Sequence, residues 1–390
     1  MALADLLPAL PWAVVWLALL RLAWKRPALA DIPAAAPDAL RVSIVIPARN
    51  EEATIETVVR SVLATAHRNF EVIVVDDRST DGTAAIVARL AETDPRLRLV
   101  HGAELPDGWY GKPWACVQGW RAATGDALLF TDADTRHEPE LLPRALGALA
   151  GGRGDLVTVM PHQRCVTFWE RVIMPQIWLL LGVRFHPATV NRARRLRDVI
   201  ANGQFILMRR SAYEAVGTHE AVRHEVAEDL ALAQLVHGTG RKIFFVFGTE
   251  LMETRMYRDL PHIVEGWSKN LYLGGRRSFP DEPLLAALVP LALAGAMIFW
   301  LVPLVVVALA AAGIAAPGFA PPAAAAVLLS AAFWMLVSAG MRIPAWYGAA
   351  YPLGALAVLY IVARSARRGA GTIEWKGRLY GETQRARRQS

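Results

Sequence analysis

Between Leu284 and Ala363 the sequence is apolar almost without interruption, in three runs: Leu284–Ala312, Ala323–Gly340 and Ala345–Ala363. A backbone immersed in lipid must satisfy its own N–H and C=O groups, so such runs fold as helices. Each is near the length that crosses the hydrocarbon core. This feature divides the chain. Leu6–Ala23 is apolar apart from Arg21, whereas Arg41–Ser278 has the composition of a globular domain, long enough for one sizeable core. The expected organisation is an anchor helix over 1–26, a linker over 27–40 and a globular domain over 41–280. About three transmembrane helices over 281–364 and a basic tail over 365–390 follow.

Ala28-Leu29-Ala30 imitates a signal-peptide cleavage site, but the positive charges Arg21, Lys25 and Arg26 follow the first apolar run instead of preceding it. By the positive-inside tendency the globular domain then faces the cytoplasm. The same rule creates a conflict, because three later passes would leave Arg364, Arg367, Arg368, Lys376 and Arg378 on the far side. Either one segment lies in the interface, or the first, interrupted by Pro290 and Pro303, is re-entrant. The net charge of +7 suits anionic headgroups beside a membrane. No helix-turn-helix, zinc-finger or RNA-stacking pattern points to nucleic acid. Two cysteines, Cys116 and Cys165, offer neither a disulfide framework nor a metal-thiolate site.

The globular part is written in strand–helix units. "RVSIVIPARNEE" is β-branched and apolar from Val42 to Ile46, turns at Pro47, and leads into a helical pattern over Thr54–Thr65. "FEVIVVDDRSTDGT" repeats the plan, with a strand Val72–Val75 and a helix through Ala84–Leu90. "LRLVH" and "ALLFTD" supply a third and a fourth strand. Continuous apolar strands alternating with helices predict an α/β fold, a mostly parallel sheet covered on both faces. Ligands of such sheets bind beyond the carboxyl ends of the strands. The polar clusters Pro47–Glu52, Asp76–Gly82 and Asp132–Asp134 all fall there. No phosphate-cradling glycine loop is present. Two carboxylates at one strand end, Asp132 and Asp134, instead suit Mg²⁺ or Mn²⁺, which completes its shell with water and diphosphate oxygens.

"IVIPARNEE", "VVDDRSTDGT", "GKPWA" and "TDADT", in that order, resemble the family 2 glycosyltransferases with the Rossmann-like GT-A fold, over about Arg41–Arg277. "ANGQFILMRRSAYEAVGTHEAV", "EVAEDLALA", "ETRMYRDLPHIVEGWSKNLY" and "WKGRLY" look like a narrower membrane-bound branch, the hopanoid-associated glycosyltransferases of bacteria, with carotenoid-type enzymes similar. The resemblance implies transfer of one sugar from a nucleotide sugar to a lipid acceptor, at the bacterial inner membrane. Pro47, Arg49, Asn50 and Glu51 then belong to a nucleotide-contacting loop. Of Asp76 and Asp77, the second would accept the imide N–H of uracil, favouring a UDP-sugar; Asp77 and Ser79 also suit a plain helix cap. Lys112 would lie near the phosphates. Asp134 is the expected metal ligand, with Asp132 at the metal, sugar or ribose.

The resemblance further makes Asp229 of the Glu228-Asp229 pair the base that takes the acceptor's proton, with Glu228 in support. A carboxylate of ordinary pKa is expected there, and acids also suit a helix start for its dipole alone. Asn202 and Gln204 are candidate sugar or acceptor contacts, with strand-edge packing as the alternative. "EGWSKN" stands where processive relatives carry Q-x-x-R-W, which argues for a single transfer; Trp267 and Lys269 are its candidate site residues. "MPQIWLLLGVRFH" (Met174–His186) is too short to span, and reads as a core helix or an interfacial one delivering a hydrophobic acceptor. The lone histidines His162, His186, His219 and His237 receive no metal. A polyprenyl-phosphate or carotenoid acceptor, a nucleotidyltransferase and an inactive membrane scaffold are the competing readings.

Overall fold

The computed structural model of the chain describes residues 10–24, 26–368, 372–375 and 378–381. Helix α1 (Leu10–Trp24) is followed by β1 (Val42–Ala48), α2 (Ile55–Leu63), β2 (Phe70–Asp76), α3 (Thr83–Ala91), β3 (Leu97–His101), α4 (Gly111–Ala122) and β4 (Ala127–Thr131). Next come β5 (Thr135–His137), α5 (Leu141–Ala150), β6 (Leu156–Met160), β7 (His162–Gln163), α6 (Phe168–Arg184) and α7 (Pro187–Val190). Strand β8 (Phe205–Arg209), α8 (Arg210–Ala215), α9 (Glu228–Gly238), β9 (Ile243–Phe247) and β10 (Met252–Thr254) complete the α/β part.

Seven strands form one sheet in the order β3-β2-β1-β4-β8-β6-β9. Only β8 runs antiparallel to its neighbours. The sheet is buried on both faces, which is why its strands read as unbroken apolar runs. On β1, Val42, Ile44 and Ile46 join one core and Val45 the other. The register sets Ala48 beside Asp76 and Val45 beside Phe130. The three polar clusters therefore emerge level with one another at a single edge. A small sheet, β5-β10-β7, closes the edge below Asp132 and Asp134.

The stretch 27–40, expected to be a linker, is packed at its start. Leu29 and Ile32 are buried in the core, Ala28 bridges to Phe247, and the Phe247 N–H donates to Pro27 O at 3.0 Å. The apolar side chains of Leu29 and Ile32 gain more from the sheet's flank than from water.

Helices α10 (Leu260–Arg277), α11 (Pro283–Ala311), α12 (Ala320–Gly340) and α13 (Tyr351–Arg368) follow, with a hairpin of β11 (Thr372–Trp375) and β12 (Arg378–Gly381). Three segments, Pro283–Ala311, Pro317–Gly340 and Ala345–Arg368, are long and apolar enough to cross a membrane. The re-entrant alternative for the first fails: α11 continues through Pro290 and Pro303 as one helix of 29 residues. Helix α1 packs on this group, Trp12 stacking on Phe299 at 4.6 Å and Trp16 Nε1 donating to Leu329 O.

Helix α13 behaves differently from α11 and α12. At its start Gln176 Nε2 of α6 donates to Tyr351 O, and at its end Glu265 of α10 pairs with Arg364 at 2.9 Å and Arg368 at 2.5 Å. Both ends therefore contact helices that carry the α/β part. Its inner face, Tyr351, Ala355, Val358 and Val362, is buried, while Leu353, Leu356 and Tyr360 are exposed. Helix α6 has Val172–Ile177 in the core, the first of its two expected roles, and its residues Leu179–Val183 continue along a cavity.

Candidate active site

The edge bearing the three clusters opens into a cavity of about 1580 Å³. Lys112 enters it from the first turn of α4, and that helix lies unusually close to the sheet. A Cβ on Gly119 would stand 2.3 Å from Val45 Cγ1, so only glycine permits the approach. Lys112 Nζ reaches Asp132 Oδ1 at 2.7 Å and Glu228 Oε1 at 2.8 Å. One ammonium thus joins the acid pair after β4 to the acid pair at the start of α9.

Helix α9 is held by Leu232, Ala233 and Val236, which are buried under the sheet, and its first turn projects Glu228 and Asp229 into the cavity. Asp229 Oδ2 accepts the Gly203 N–H at 2.9 Å. A Cβ on Gly203 would stand 2.9 Å from Lys112 Nζ and 3.1 Å from Asp229 Oδ2, so a larger residue there would displace the lysine.

These charges set one another. Burial pulls Lys112 down, but Asp132, Glu228 and Asp229 outweigh it and hold the ammonium well above its usual range. Burial raises Asp132, and Lys112 only partly offsets this. For Glu228 the balance reverses: burial opposes ionisation, yet Lys112 wins and the carboxylate is held low. Burial and then the neighbouring Glu228 push Asp229 up to about 6, against Lys112 and the Gly203 amide. The expected ordinary carboxylate at this position is therefore corrected. A desolvated acid beside a second, ionised acid binds its proton more tightly.

The turn of Asp132–Asp134 is fixed from below. Thr131 Oγ1 donates to Gln204 O at 2.8 Å and lies 3.0 Å from His137 Nε2, and Thr135 Oγ1 donates to Asp132 O. Burial holds His137 near 3, so it stays neutral. Thr254 Oγ1 lies 3.3 Å from Asp134 Oδ1, and the Arg255 N–H donates to Asp134 O. Arg255 itself is bound to Glu170 at 2.9 Å. Burial, and then the charge of Asp134, raises the Tyr257 hydroxyl.

Pro47, Arg49, Asn50 and Glu51 line the same cavity. Asn50 and Arg78 both take left-handed backbone (φ 53 and 57), and the two loops are stitched together. Asn50 N donates to Ser79 Oγ, Glu51 N to Thr83 Oγ1, and Thr80 N to Asn50 Oδ1. Arg49 Nη1 donates to Asp77 O at 2.6 Å and Arg78 O at 2.9 Å. Asp76 and Asp77 are only 5% and 1% exposed and lie beneath this loop, off the cavity wall. The capping alternative for Asp77 and Ser79 gives way, because Asp81 Oδ1 takes the Thr83 N–H at 3.0 Å.

Asn202 and Gln204 reach the cavity wall, but their amides are spent on one another and on the protein. Asn202 Nδ2 donates to Gln204 Oε1 at 3.1 Å, and Gln204 Nε2 to Thr254 Oγ1 at 3.3 Å. Both therefore support the Asp134 turn. Trp267, largely buried with its ring edge-on to Trp178 at 5.9 Å, and Lys269, further along α10, both line the cavity. Sequence reasoning missed the Gly203 amide and Thr254; nothing in "ETRMYRDL" marks Thr254 as a partner of an acid 120 residues earlier. Among the described residues no group of three or more His, Cys, Asp and Glu is placed to hold a metal. The carboxylates of Asp132 and Asp134 fit only a hard cation that takes its other ligands from water and substrate.

Residues 43–217 match the family described as Glycosyl transferase family 2. The 4,4'-diaponeurosporenoate glycosyltransferase of Staphylococcus aureus (strain MRSA252) is 29% identical over 256 residues, 64% of this chain and 64% of that protein. The chain thus spans less than two thirds of the length of the curated relatives it matches. Among solved structures, the mannosyltransferase from Pyrobaculum calidifontis in complex with GDP-Man and Mn²⁺ is similar with a TM-score of 0.50 at 21% identity. That likeness covers 94% of this chain and 96% of the other and concerns the fold. The α/β part of the chain therefore has the GT-A fold, and its residues 43–217 are similar to glycosyl transferase family 2.

Proposed function

We propose that this chain is a membrane-bound inverting glycosyltransferase that moves one sugar from a nucleotide sugar, a UDP-sugar in the first instance, to the hydroxyl of a lipid. The observation that carries the reading is the Lys112 bridge between Asp132 and Glu228, with Asp229 beside it, in a cavity whose far wall is made by apolar helices. Asp229 is the base. With its pKa near 6 it is ionised at neutral pH yet binds a proton better than an ordinary carboxylate, which suits it to take the hydroxyl proton as the sugar transfers. Glu228 and Lys112 keep that balance. Asp134, with Asp132 beside it, would hold Mg²⁺ or Mn²⁺, which supplies positive charge to the departing diphosphate. The loop of Pro47, Arg49, Asn50 and Glu51 binds the nucleotide, and Lys269 the substrate.

The acceptor is a lipid of the hopanoid or carotenoid kind. The relative's name supports a carotenoid acid, and the sequence resemblance a hopanoid. An ionised acceptor, carboxylate or phosphate, needs no base, so the elaborate setting of Asp229 favours an alcohol.

In the membrane, α1, α11 and α12 are the crossing helices and α13 lies along the cytoplasmic interface. This arrangement removes the charge conflict, because Arg26, Arg342, Arg364 and Arg368 then share one side with the catalytic domain. Arg342 pairs with Glu250 and Arg364 with Glu265, both in the α/β part or its flanking helix. The connection 312–319 carries no charge and belongs outside.

The test is incubation of purified protein with a panel of UDP-sugars, Mn²⁺ and total bacterial lipid extract, followed by mass spectrometry. A new glycolipid with matching UDP release is expected. A folded sample that gives neither would overturn the reading.

A further inference from the structure

Resting on that reading, we infer that the cavity has a second compartment, a slot for the acceptor's hydrocarbon tail that opens sideways to the bilayer between α6 and α12. At about 1580 Å³ the cavity exceeds the roughly 300–1,000 Å³ of a site for one small ligand. Its two ends differ in chemistry. One carries the acids and Lys112 of the proposed reaction. The other is apolar: Leu179 and Val183 of α6, Val289 and Leu293 of α11, and Val337 of α12. Val289, Ala292 and Leu293 fall at i, i+3 and i+4, so one stripe of α11 faces the cavity. Leu291, off that stripe, is exposed on the outside of the same helix. A nucleotide sugar has no group that gains from such a wall. An amphipathic molecule with a hydroxyl head and a long apolar tail matches both ends at once.

Two glycines mark the opening. Gly182 on α6 and Gly340 at the end of α12 both line the cavity, and an added Cβ on either would meet nothing within 4 Å. Glycine inside a helix is destabilising, and no neighbour requires Gly182 to be small. What its smallness leaves is clear space at the mouth. The occupant is a tail arriving from lipid, because α12 at the mouth and α11 along the apolar wall are both long and apolar enough to cross a membrane.

The experiment uses the full chain in phosphatidylcholine nanodiscs with a diazirine-bearing hexadecanol as probe, without donor, and peptide mapping of the photolabel. Labelling is expected on the segments 179–183 and 336–340 and on Val289, Ala292 and Leu293, several-fold above the outer positions Leu285, Leu291 and Leu328, and saturably displaced by plain hexadecanol. Gly182→Trp and Gly340→Trp should reduce it several-fold, and Leu291→Trp should not. Label spread evenly over inner and outer faces, or not displaced in the unaltered protein, overturns the slot whether or not the tryptophan variants fold. Because the labelling needs no sugar transfer, the two readings fail separately. A labelled slot without any glycolipid product would leave the slot standing and remove the transferase. Glycolipid formation with even labelling would do the reverse.

Discussion

Lys112 Nζ lies 2.8 Å from Glu228 Oε1, so the start of α4 and the start of α9 are locked across the mouth of the sheet. The same ammonium holds Asp132 at 2.7 Å. Replacing Lys112 with Met leaves the buried Glu228 and the half-buried Asp132 without their shared cation. Lys112 lowers Asp229, so its removal lets Asp229 rise further above about 6. Transfer should fall by about 10²-fold, the scale for loss of one preorganised charge at a reaction centre, and the acid limb of the pH profile should move to higher pH. Unchanged kinetics would remove the bridge from the mechanism.

Asp229 predicts the pH profile itself. Its pKa is raised, so the proton-accepting form is lost earlier on acidification than for a free aspartate. Below about 6, kcat/KM should fall tenfold per pH unit, and above it should level off. Asp229→Asn should cost about 10²–10⁴-fold and abolish that limb. Full activity in Asp229→Asn would mean that the acceptor arrives already ionised.

At Gly203 the crowding is confined to the ends of two side chains. An added methyl would meet Lys112 Nζ at 2.9 Å, and a flexible lysine can retreat. Gly203→Ala should therefore fold, with unchanged circular dichroism, while transfer drops as Lys112 leaves its place between the acids. A variant as active as the parent would show that the lysine's position is not needed.

Thr254 tests the metal reading without requiring turnover. Its hydroxyl is 3.3 Å from Asp134 Oδ1. Groups that orient a metal-holding carboxylate typically contribute 10–100-fold to affinity, so Thr254→Val should weaken Mn²⁺ binding by about that factor. Titration calorimetry with Mn²⁺ and UDP measures it, and equal affinity in the two proteins would dissociate Asp134 from the cation.

The sheet was legible because its strands are buried on both faces and its helices carry their own periodicity; β1, β2 and β4 could be read to within two residues at each end. The carboxyl-end rule then placed Asn50, Asp132 and their neighbours at one edge before any contact was known. Long-range partners were not legible. Nothing local distinguishes Thr254 or Gly203 from strand-end residues, and Asp77 differs from a ligand-facing acid only in being buried under Arg49. Leu29 and Ile32 fall in the expected linker because two apolar residues among alanines and prolines make no period, although the sheet's flank buries both. The raised pKa of Asp229 likewise depends on desolvation and on Glu228, which only the folded arrangement supplies.

The three long apolar segments look alike by composition, yet α13 is tied at its start to α6 of the α/β part and at its end to the flanking α10, through Tyr351 with Gln176 and Arg364 with Glu265. If α13 crossed the bilayer, its two ends would be separated by the hydrocarbon core, about 30 Å, and one of its two partners, Gln176 or Glu265, would have to lie across the membrane from the other. Single cysteines at Asp38, Ala316 and Arg367, in a chain whose Cys116 and Cys165 are replaced by alanine, distinguish the cases. With a membrane-impermeant maleimide on sealed inside-out vesicles, Asp38→Cys and Arg367→Cys should label and Ala316→Cys should not. On right-side-out cells the pattern should invert. Labelling of Arg367→Cys together with Ala316→Cys would make α13 a crossing helix, separate the basic residues from the catalytic domain, and break the topology proposed here.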